Sequence, residues 1–169
     1  MKKICITGPE ATGKSTLARG LADFYGCHWV SEYARLYLEK IRRPYKADDL
    51  DAIARGQCHS EAILEEKSSS SPYLFCDTGP EVVWVWSLYK YGAVSSVIED
   101  LTRSARYDLT LLLDVDLPWV EDPLRENPSL PERRHLLQMY KDLLQDLNRP
   151  YRLIQGSGSE RLEQAKRCL

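Results

Sequence analysis

The octapeptide Gly8-Pro9-Glu10-Ala11-Thr12-Gly13-Lys14-Ser15 fits G-x-x-x-x-G-K-[ST], and that pattern prescribes a chemistry. Its glycines let backbone N–H groups turn toward phosphate oxygens with no side chain in the way. A helix opening near Lys14 adds the positive end of its dipole to the same anion site. Lys14 is expected on the β- and γ-phosphates, the Ser15 hydroxyl on a magnesium ion, and Thr16 on the α-phosphate through its backbone or hydroxyl. Gly8, Pro9, Glu10, Ala11, Thr12, Gly13, Lys14, Ser15 and Thr16 are thus read as an ATP-binding loop, with Mg2+ as the second cofactor. Nothing in the loop chooses between adenine and guanine on the donor.

Phosphoryl transfer from such a nucleotide needs two carboxylates. One holds the metal, directly or through water, and one orients and deprotonates the acceptor hydroxyl. In a parallel sheet the ligand lies beyond the carboxyl ends of the strands, so acids just past those ends come first: Glu32, Asp77, Asp114 and Asp116. Asp77 is the first choice for the metal, together with Ser15; its other open role is to cap the turn Asp77-Thr78-Gly79-Pro80. Glu32 is the candidate base, with a solvated glutamate at a helix start as the alternative. Arg35, one turn further on, either fixes Glu32 or binds the acceptor. Which of Glu32 and Asp77 takes the proton stays open. Asp114 and Asp116 read more naturally as strand-end caps than as catalysts.

An arginine brought over the γ-phosphate would neutralise transition-state charge that lysine and magnesium do not reach. The stretch Leu117 to Pro131 contains Pro118, Pro123, Pro128 and Pro131, which no helix or central strand is expected to accept. It reads as a lid over about 117–135, with Arg125 the first choice for catalysis and Arg133 the second, at the ATP phosphates; Arg134 reads as a surface residue. Trp84 and Trp86 are core residues by default, and Trp86 or Tyr37 is the candidate to stack on an aromatic acceptor base. Glu32, Arg35, Tyr37 and Trp86 together form the expected acceptor site. His28, His59 and His135 are too scattered to read as metal ligands.

The elements that must position these residues alternate between strand-like and helical patterns, the mark of a parallel sheet wrapped by crossover helices. Strands are expected at Ile4–Thr7, Cys27–Val30, Tyr73–Cys76, Leu109–Val115 and Tyr151–Ile154. Leu17, Leu21, Phe24 and Tyr25 mark a first helix closed by Gly26, and a second runs from about Glu32 to Ile41. A third starts at Asp48 and Asp49, whose charges suit its dipole, and ends in the loop Ser68 to Ser71. A fourth carries Val82, Val85, Trp86 and Tyr89 on one face and Trp84, Leu88 and Tyr91 on another, so it is either deeply buried or faces a pocket. Leu136, Tyr140, Leu143 and Leu147 mark a long helix, and Ser157 with Glu160 opens a last one in capping-box spacing.

The composition, 169 residues with 43% hydrophobic and 28% charged, suits one globular domain. With 23 basic against 25 acidic residues the net charge is -2, which excludes a broad nucleic-acid footprint, so any polyanion must be gripped locally. The opening apolar stretch ends by Gly8, too short for a signal peptide or membrane span, so a cytoplasmic location without a membrane partner is expected. Cys5, Cys27, Cys58, Cys76 and Cys168 form no C-x-x-C pair and read as reduced thiols. The oligomeric state is open, and a homo-oligomer is compatible with the sequence.

With the phosphate loop, Ser31-Glu32-Tyr33-Ala34-Arg35, Cys76-Asp77-Thr78, Trp86-Ser87-Leu88-Tyr89-Lys90-Tyr91-Gly92 and Asp122-Pro123-Leu124-Arg125 in order, the chain resembles the NadR-like P-loop kinases. More narrowly it is similar to the ribosylnicotinamide kinase domain of that family, from Lys3 to about Leu162. The loop pattern is shared by P-loop proteins in general; Glu-Tyr-x-Arg and W-x-x-x-K-Y-G discriminate more. The resemblance implies an α/β, three-layer P-loop NTPase fold of the nucleoside and nucleotide kinase type. Its five-stranded parallel sheet would carry helices on both faces and a lid, in a single domain over residues 1–169. It also implies transfer of the ATP γ-phosphate to the 5′-hydroxyl of nicotinamide riboside, giving the mononucleotide. Carried over by position, Gly8, Gly13, Lys14, Ser15 and Thr16 bind ATP, Glu32 and Asp77 sit at the reaction centre, and Arg125 belongs to the lid.

Pro9-Glu10-Ala11-Thr12 departs from the serine-rich loop interior typical of the family. These 169 residues contain neither the family's paired-histidine adenylyltransferase motif nor a DNA-binding domain, so a second biosynthetic step and a repressor role are not implied. A kinase for another nucleoside, nucleotide or small metabolite would share every phosphate contact and differ only around Arg35, Tyr37 and Trp86. A nucleotide-sensing module is the reading from a different class. It lacks an N-K-x-D guanine-reading motif, and Asp77-Thr78-Gly79 stands where a switch-type D-x-x-G would.

Overall fold

Alternation along the central strand decides which helices cover which face. In β1 (Lys2–Thr7) the residues Ile4 to Thr7 are at most 1% exposed, with Ile4 and Ile6 on one side of the sheet and Cys5 on the other. The computed structural model covers Met1–Leu169. After β1 follow α1 (Lys14–Tyr25), β2 (Trp29–Val30), α2 (Tyr33–Ile41), α3 (Ala47–Lys67), β3 (Tyr73–Asp77) and α4 (Pro80–Tyr91). The rest of the chain is α5 (Ser96–Ser104), β4 (Leu109–Leu113), α6 (Leu130–Asp146), β5 (Tyr151–Ile154) and α7 (Gly158–Lys166). All pairings are parallel and the strand order is β2-β3-β1-β4-β5. This is the five-stranded, two-sided arrangement expected from the sequence.

On one face Ile4, Ile6, Phe75, Leu111, Leu113 and Ile154 pack with Leu17, Ala18, Leu21 and Ala22 of α1 and with Ala165 of α7. On the other, Leu112 packs with Val82 and Val85 of α4 and with Leu136, Tyr140 and Leu144 of α6. Val82 and Val85 of α4 face α6, while Val83, which belongs to neither expected stripe, meets Leu50, Ile53 and Ala54 of α3 and Ile98 of α5; of the second expected stripe, Leu88 and Tyr91 are exposed. No helix is long and apolar enough to cross a membrane.

Several element bounds differ from the sequence expectation, the fourth strand ending at Leu113 rather than Val115. The second strand is shorter, with Cys27 and His28 outside it. Helix α5 is not among the expected elements; it turns Ile98 and Thr102 inward, and its start is fixed by Ser95, whose hydroxyl accepts the Ile98 N–H at 3.2 Å. Pro131 is not a helix breaker here, because it lies in the first turn of α6, where an N–H would have no intrahelical partner. The irregular segment therefore ends at Ser129, and Arg133 belongs to a helix.

Leu21 is fully buried between α1 and the sheet. Leu21→Ala is expected to cost about 2–5 kcal/mol, lost methylenes plus the cavity they leave. Urea unfolding measures it, and a loss below about 1 kcal/mol would mean that this face of the sheet is not closely packed.

Candidate active site

The phosphate loop joins β1 to α1, and its backbone takes conformations that side chains resist. Gly8 has φ 137°, and a Cβ there would lie 2.8 Å from the Leu113 carbonyl oxygen, so the loop can press against the end of β4 only with glycine. Ala11 and Gly13 have φ 56° and 80°, and the Thr12 hydroxyl donates to the Pro9 carbonyl at 2.8 Å. Gly13 caps α1 with no side-chain hydrogen bond, and no acid stands in the first turn, so the helix end is left open to an anion. Lys14 arcs back over the loop, Nζ donating to the Gly8 and Pro9 carbonyls at 3.0 and 2.9 Å.

One cleft brings the loop together with Glu32, Arg35, Trp86 and Arg125, and its inner wall is formed by Leu38, Tyr45, Leu50, Ile53, Val82 and Val83. Asp77 ends β3 at 1% exposure, and its Oδ1 has no hydrogen-bond partner. Burial pushes its carboxyl up to about 6 and Glu32 pushes the same way, while the Ser15 hydroxyl, Lys14 and Arg35 pull it down. Glu32 is the half-buried N-cap residue of α2 and makes no cap bond with its side chain. Arg35 reaches across to the lid, donating to Asp122 Oδ2 at 2.8 Å. Arg125 lines the cleft, donates to the Val120 carbonyl and stands 5.9 Å from the Trp119 ring centroid.

Pro9 and the buried Asp77 do not themselves line the cleft, and two further expected residues lie away from it. Tyr37 is outside the cleft, because Ala34, Arg35 and Leu38 take the cleft-facing stripe of α2 and turn it toward α3. Its hydroxyl donates to Asp49 Oδ1 at 2.8 Å, and Arg43 and Tyr37 help to hold that carboxylate well below its ordinary range. Tyr45 stands in the cleft instead, on a loop that carries no sequence signal beyond Pro44. Arg133 does not reach the cleft either. The first turn of α6 buries it to 3% exposure, donating to the Leu117 carbonyl at 3.2 Å, with Nε and Nη1 unpartnered. Asp114 and Asp116 work as strand-end caps: Asp114 accepts from Val115 N–H and Gln155 Nε2, both at 2.7 Å, and Asp116 accepts from Gly156 N–H at 2.7 Å.

A family model described as AAA domain matches residues 3–161. The chain belongs to that family. It is 28% identical over 154 residues to the trifunctional NAD biosynthesis/regulator protein NadR of Escherichia coli (strain K12), covering 88% of this chain and 37% of NadR. The chain thus spans little more than a third of that relative's length. Among solved structures, NadR in complex with NR superposes with a TM-score of 0.79 at 20% identity, over 97% of this chain and 48% of that one. NadR in complex with NAD and AMP-PNP gives 0.76 at 23% identity, over 97% and 47%. Thymidylate kinase from Ehrlichia chaffeensis gives 0.64 at 16% identity, over 99% and 98%. The fold is that of the P-loop kinases, and the NadR-like resemblance read from the sequence stands.

Within this P-loop fold the sequence did not reveal how the lid is fastened. Glu10 accepts the Glu126 N–H at 3.0 Å and the Asn127 N–H at 3.0 Å, so a side chain of the phosphate loop holds the lid backbone. Arg161 is a second unforeseen brace: it donates to the Thr12 carbonyl, to Asp116 and, at 3.0 Å, to the Gly156 carbonyl.

Asp77 makes stability depend on pH with a definite sign. The folded chain keeps its proton up to about pH 6, against an ordinary value of 3.8. Its contribution is therefore fully present below about pH 4 and is lost as pH rises through 6. Asp77→Asn, neutral throughout, is expected to exceed the parent by on the order of 2–3 kcal/mol at pH 8 and to match it at pH 4. Urea titrations without divalent metal measure this, and coincident midpoints at pH 8 would remove burial as the cause.

Proposed function

We propose that this chain is a magnesium-dependent P-loop kinase that transfers the γ-phosphate of ATP to the 5′-hydroxyl of a riboside, nicotinamide riboside first among them, in a single domain with a lid. The observation that carries this reading is the convergence of the Lys14 loop, Glu32 and Arg125 on one cleft, with Asp77 buried beside Ser15, Lys14 and Glu32. Support for the acceptor comes from NadR, solved with NR, and for the donor from NadR, solved with NAD and AMP-PNP.

The residues divide the work as follows. Lys14 exchanges the Gly8 and Pro9 carbonyls for phosphate oxygens, so the loop is held ready for an anion. Glu32 accepts the proton of the acceptor hydroxyl, whose oxygen bonds to the γ-phosphorus as the bond to the β-phosphate oxygen breaks and ADP leaves. Its side chain is free for this because it caps nothing. Arg125 and Lys14 take up the charge on the transferring group. Trp86 and Tyr45, which line the cleft, are the aromatic side chains there available to an acceptor base, Tyr45 with Lys90 Nζ 4.0 Å from its ring centroid.

The residues present fit magnesium. The Ser15 hydroxyl and the unpartnered, buried Asp77 Oδ1 are hard oxygen donors side by side, and no group of three or more His, Cys, Asp or Glu could hold a metal alone. Ser15 and Asp77 would hold the ion together with water and nucleotide phosphates, and it would neutralise charge on the β- and γ-phosphates.

ATP consumption measured against a panel of ribosides tests the reading, with nicotinamide riboside expected to give the mononucleotide. Turnover of another nucleoside alone would move the acceptor assignment, and tight nucleotide binding with no turnover on any acceptor would favour a sensor. Lys14→Ala is expected to lower kcat/KM by about two to three orders of magnitude with the fold intact. Glu32→Gln is expected to lower kcat by about 10²- to 10⁴-fold while sparing ATP binding; near-normal transfer would pass the base role to Asp77.

A further inference from the structure

Gln57 lies on α3 at 2% exposure, outside the cleft, and every polar atom of its side chain is committed. Its Oε1 accepts the Tyr33 N–H at 2.9 Å, and its Nε2 donates to the Thr78 carbonyl at 3.1 Å and to Glu61 Oε1 at 3.3 Å. Tyr33 directly follows Glu32, and Thr78 directly follows Asp77. One amide therefore grips the backbone next to each of the two carboxylates that the proposed reaction needs.

The orientation of that amide is forced by its partners. Thr78 O is an acceptor only and the Glu61 carboxylate lies beside it, so the NH2 group must face them, which leaves the carbonyl for the Tyr33 N–H. Glu61 is itself fixed, with the Tyr107 hydroxyl 2.9 Å from both its oxygens and Lys3 Nζ at 3.0 Å.

Both ends of the bridge attach to backbone with little freedom. Thr78 has φ 71° and donates its own N–H to the Ile6 carbonyl at 2.9 Å, and a Cβ on the next residue, Gly79, would collide with Tyr107 and Glu81. On the other side Gly56, next to Gln57, lies against the Tyr33 ring so closely that a Cβ there would overlap it. Tyr33 is the first residue of α2, whose leading N–H groups lack intrahelical acceptors. An N-cap side chain reaches the second or third N–H of a helix rather than the first, so the Tyr33 donor needs a partner from elsewhere, and the Gln57 amide supplies it.

We propose that Gln57 is a positioning residue for phosphoryl transfer: by bridging Tyr33 and Thr78 it sets the placement of the Glu32 carboxylate relative to Asp77. This rests on the kinase reading above. It assigns the fine geometry of the reaction centre to a side chain that touches neither nucleotide nor acceptor.

Two variants break the bridge in different ways. Gln57→Met keeps length and removes all three hydrogen bonds of the amide; Gly56→Ala keeps the amide and displaces the Tyr33 ring. Leu144→Ala, in the α6 core, serves as a control for simple destabilisation. Both bridge variants are expected to lower kcat by about tenfold or more, with KM for ATP within about twofold, because Lys14 and its loop are untouched. Amide exchange at Tyr33 is expected to rise in both, and Leu144→Ala is expected to leave kcat and that exchange near the parent values. Unchanged kcat in a folded bridge variant, or an equal fall in Leu144→Ala, would overturn the proposal; if Gln57→Met does not fold, Gly56→Ala decides. A parent chain that phosphorylates no acceptor overturns the kinase reading instead. Tyr33 exchange, which needs no turnover, then tests the bridge alone: unchanged protection in Gln57→Met rejects it, and lost protection sustains it.

Discussion

The approach of Gly8 to the Leu113 carbonyl is the contact on which the rest of the site depends. A loop whose N–H groups face inward has to leave β1 and re-enter as α1 within a few residues, and it can do so only where the backbone passes the end of β4 without a side chain. That requirement puts β1 at the centre of the sheet, with β3 and β4 as its neighbours, and places Asp77 alongside the loop. Arg161 then ties the Thr12 carbonyl to the segments that follow β4 and β5. The loop is held by the ends of three strands, and a phosphate could enter it with little reorganisation.

Behind the sheet the chain tolerates an unusual amount of buried charge. Glu61 and Glu81 are nearly inaccessible, Glu61 paired with Lys3 and Glu81 accepting from the Cys5 thiol at 3.0 Å with Arg149 nearby. Such pairs contribute little net stability, because desolvation offsets much of their attraction. Their effect is geometric: through Gln57, Tyr107 and Gly79 they pin the turn after Asp77 and the start of α2, next to Asp77 and Glu32.

What could be read from the sequence and what could not separates along the range of the interactions involved. The phosphate loop is a local pattern, and the acids at the strand ends follow from strand order, so the places of Lys14, Ser15, Glu32 and Asp77 in the fold were legible before any coordinates. Tyr37 was misplaced because α2 buries no residue completely, and periodicity alone does not say which half-covered face meets the cleft. Arg133 was misplaced because Pro131 reads as a breaker, whereas in a first helical turn it is compatible with α6 and carries the arginine under the lid. Gln57 could not be found at all: its partners lie 24 and 21 residues away in sequence, and nothing local marks a glutamine on an apolar helix face as their common contact.

The lid shows the same dependence on distance. Its two ion pairs, Arg35 to Asp122 at 2.8 Å and Lys90 to Glu126 at 2.9 Å, are partly exposed, and such pairs contribute about 0–1 kcal/mol each. Glu10 is different, since it is more deeply buried, its carboxyl is raised chiefly by that burial, and it receives backbone N–H groups of Glu126 and Asn127. Burial outweighs those hydrogen bonds on its carboxyl, so Glu10 fixes where the lid backbone sits rather than adding net stability. Because Glu10 belongs to the phosphate loop, lid and loop share one mechanical joint. A change in the loop is transmitted directly to the segment that carries Arg125, which lines the same cleft as the loop.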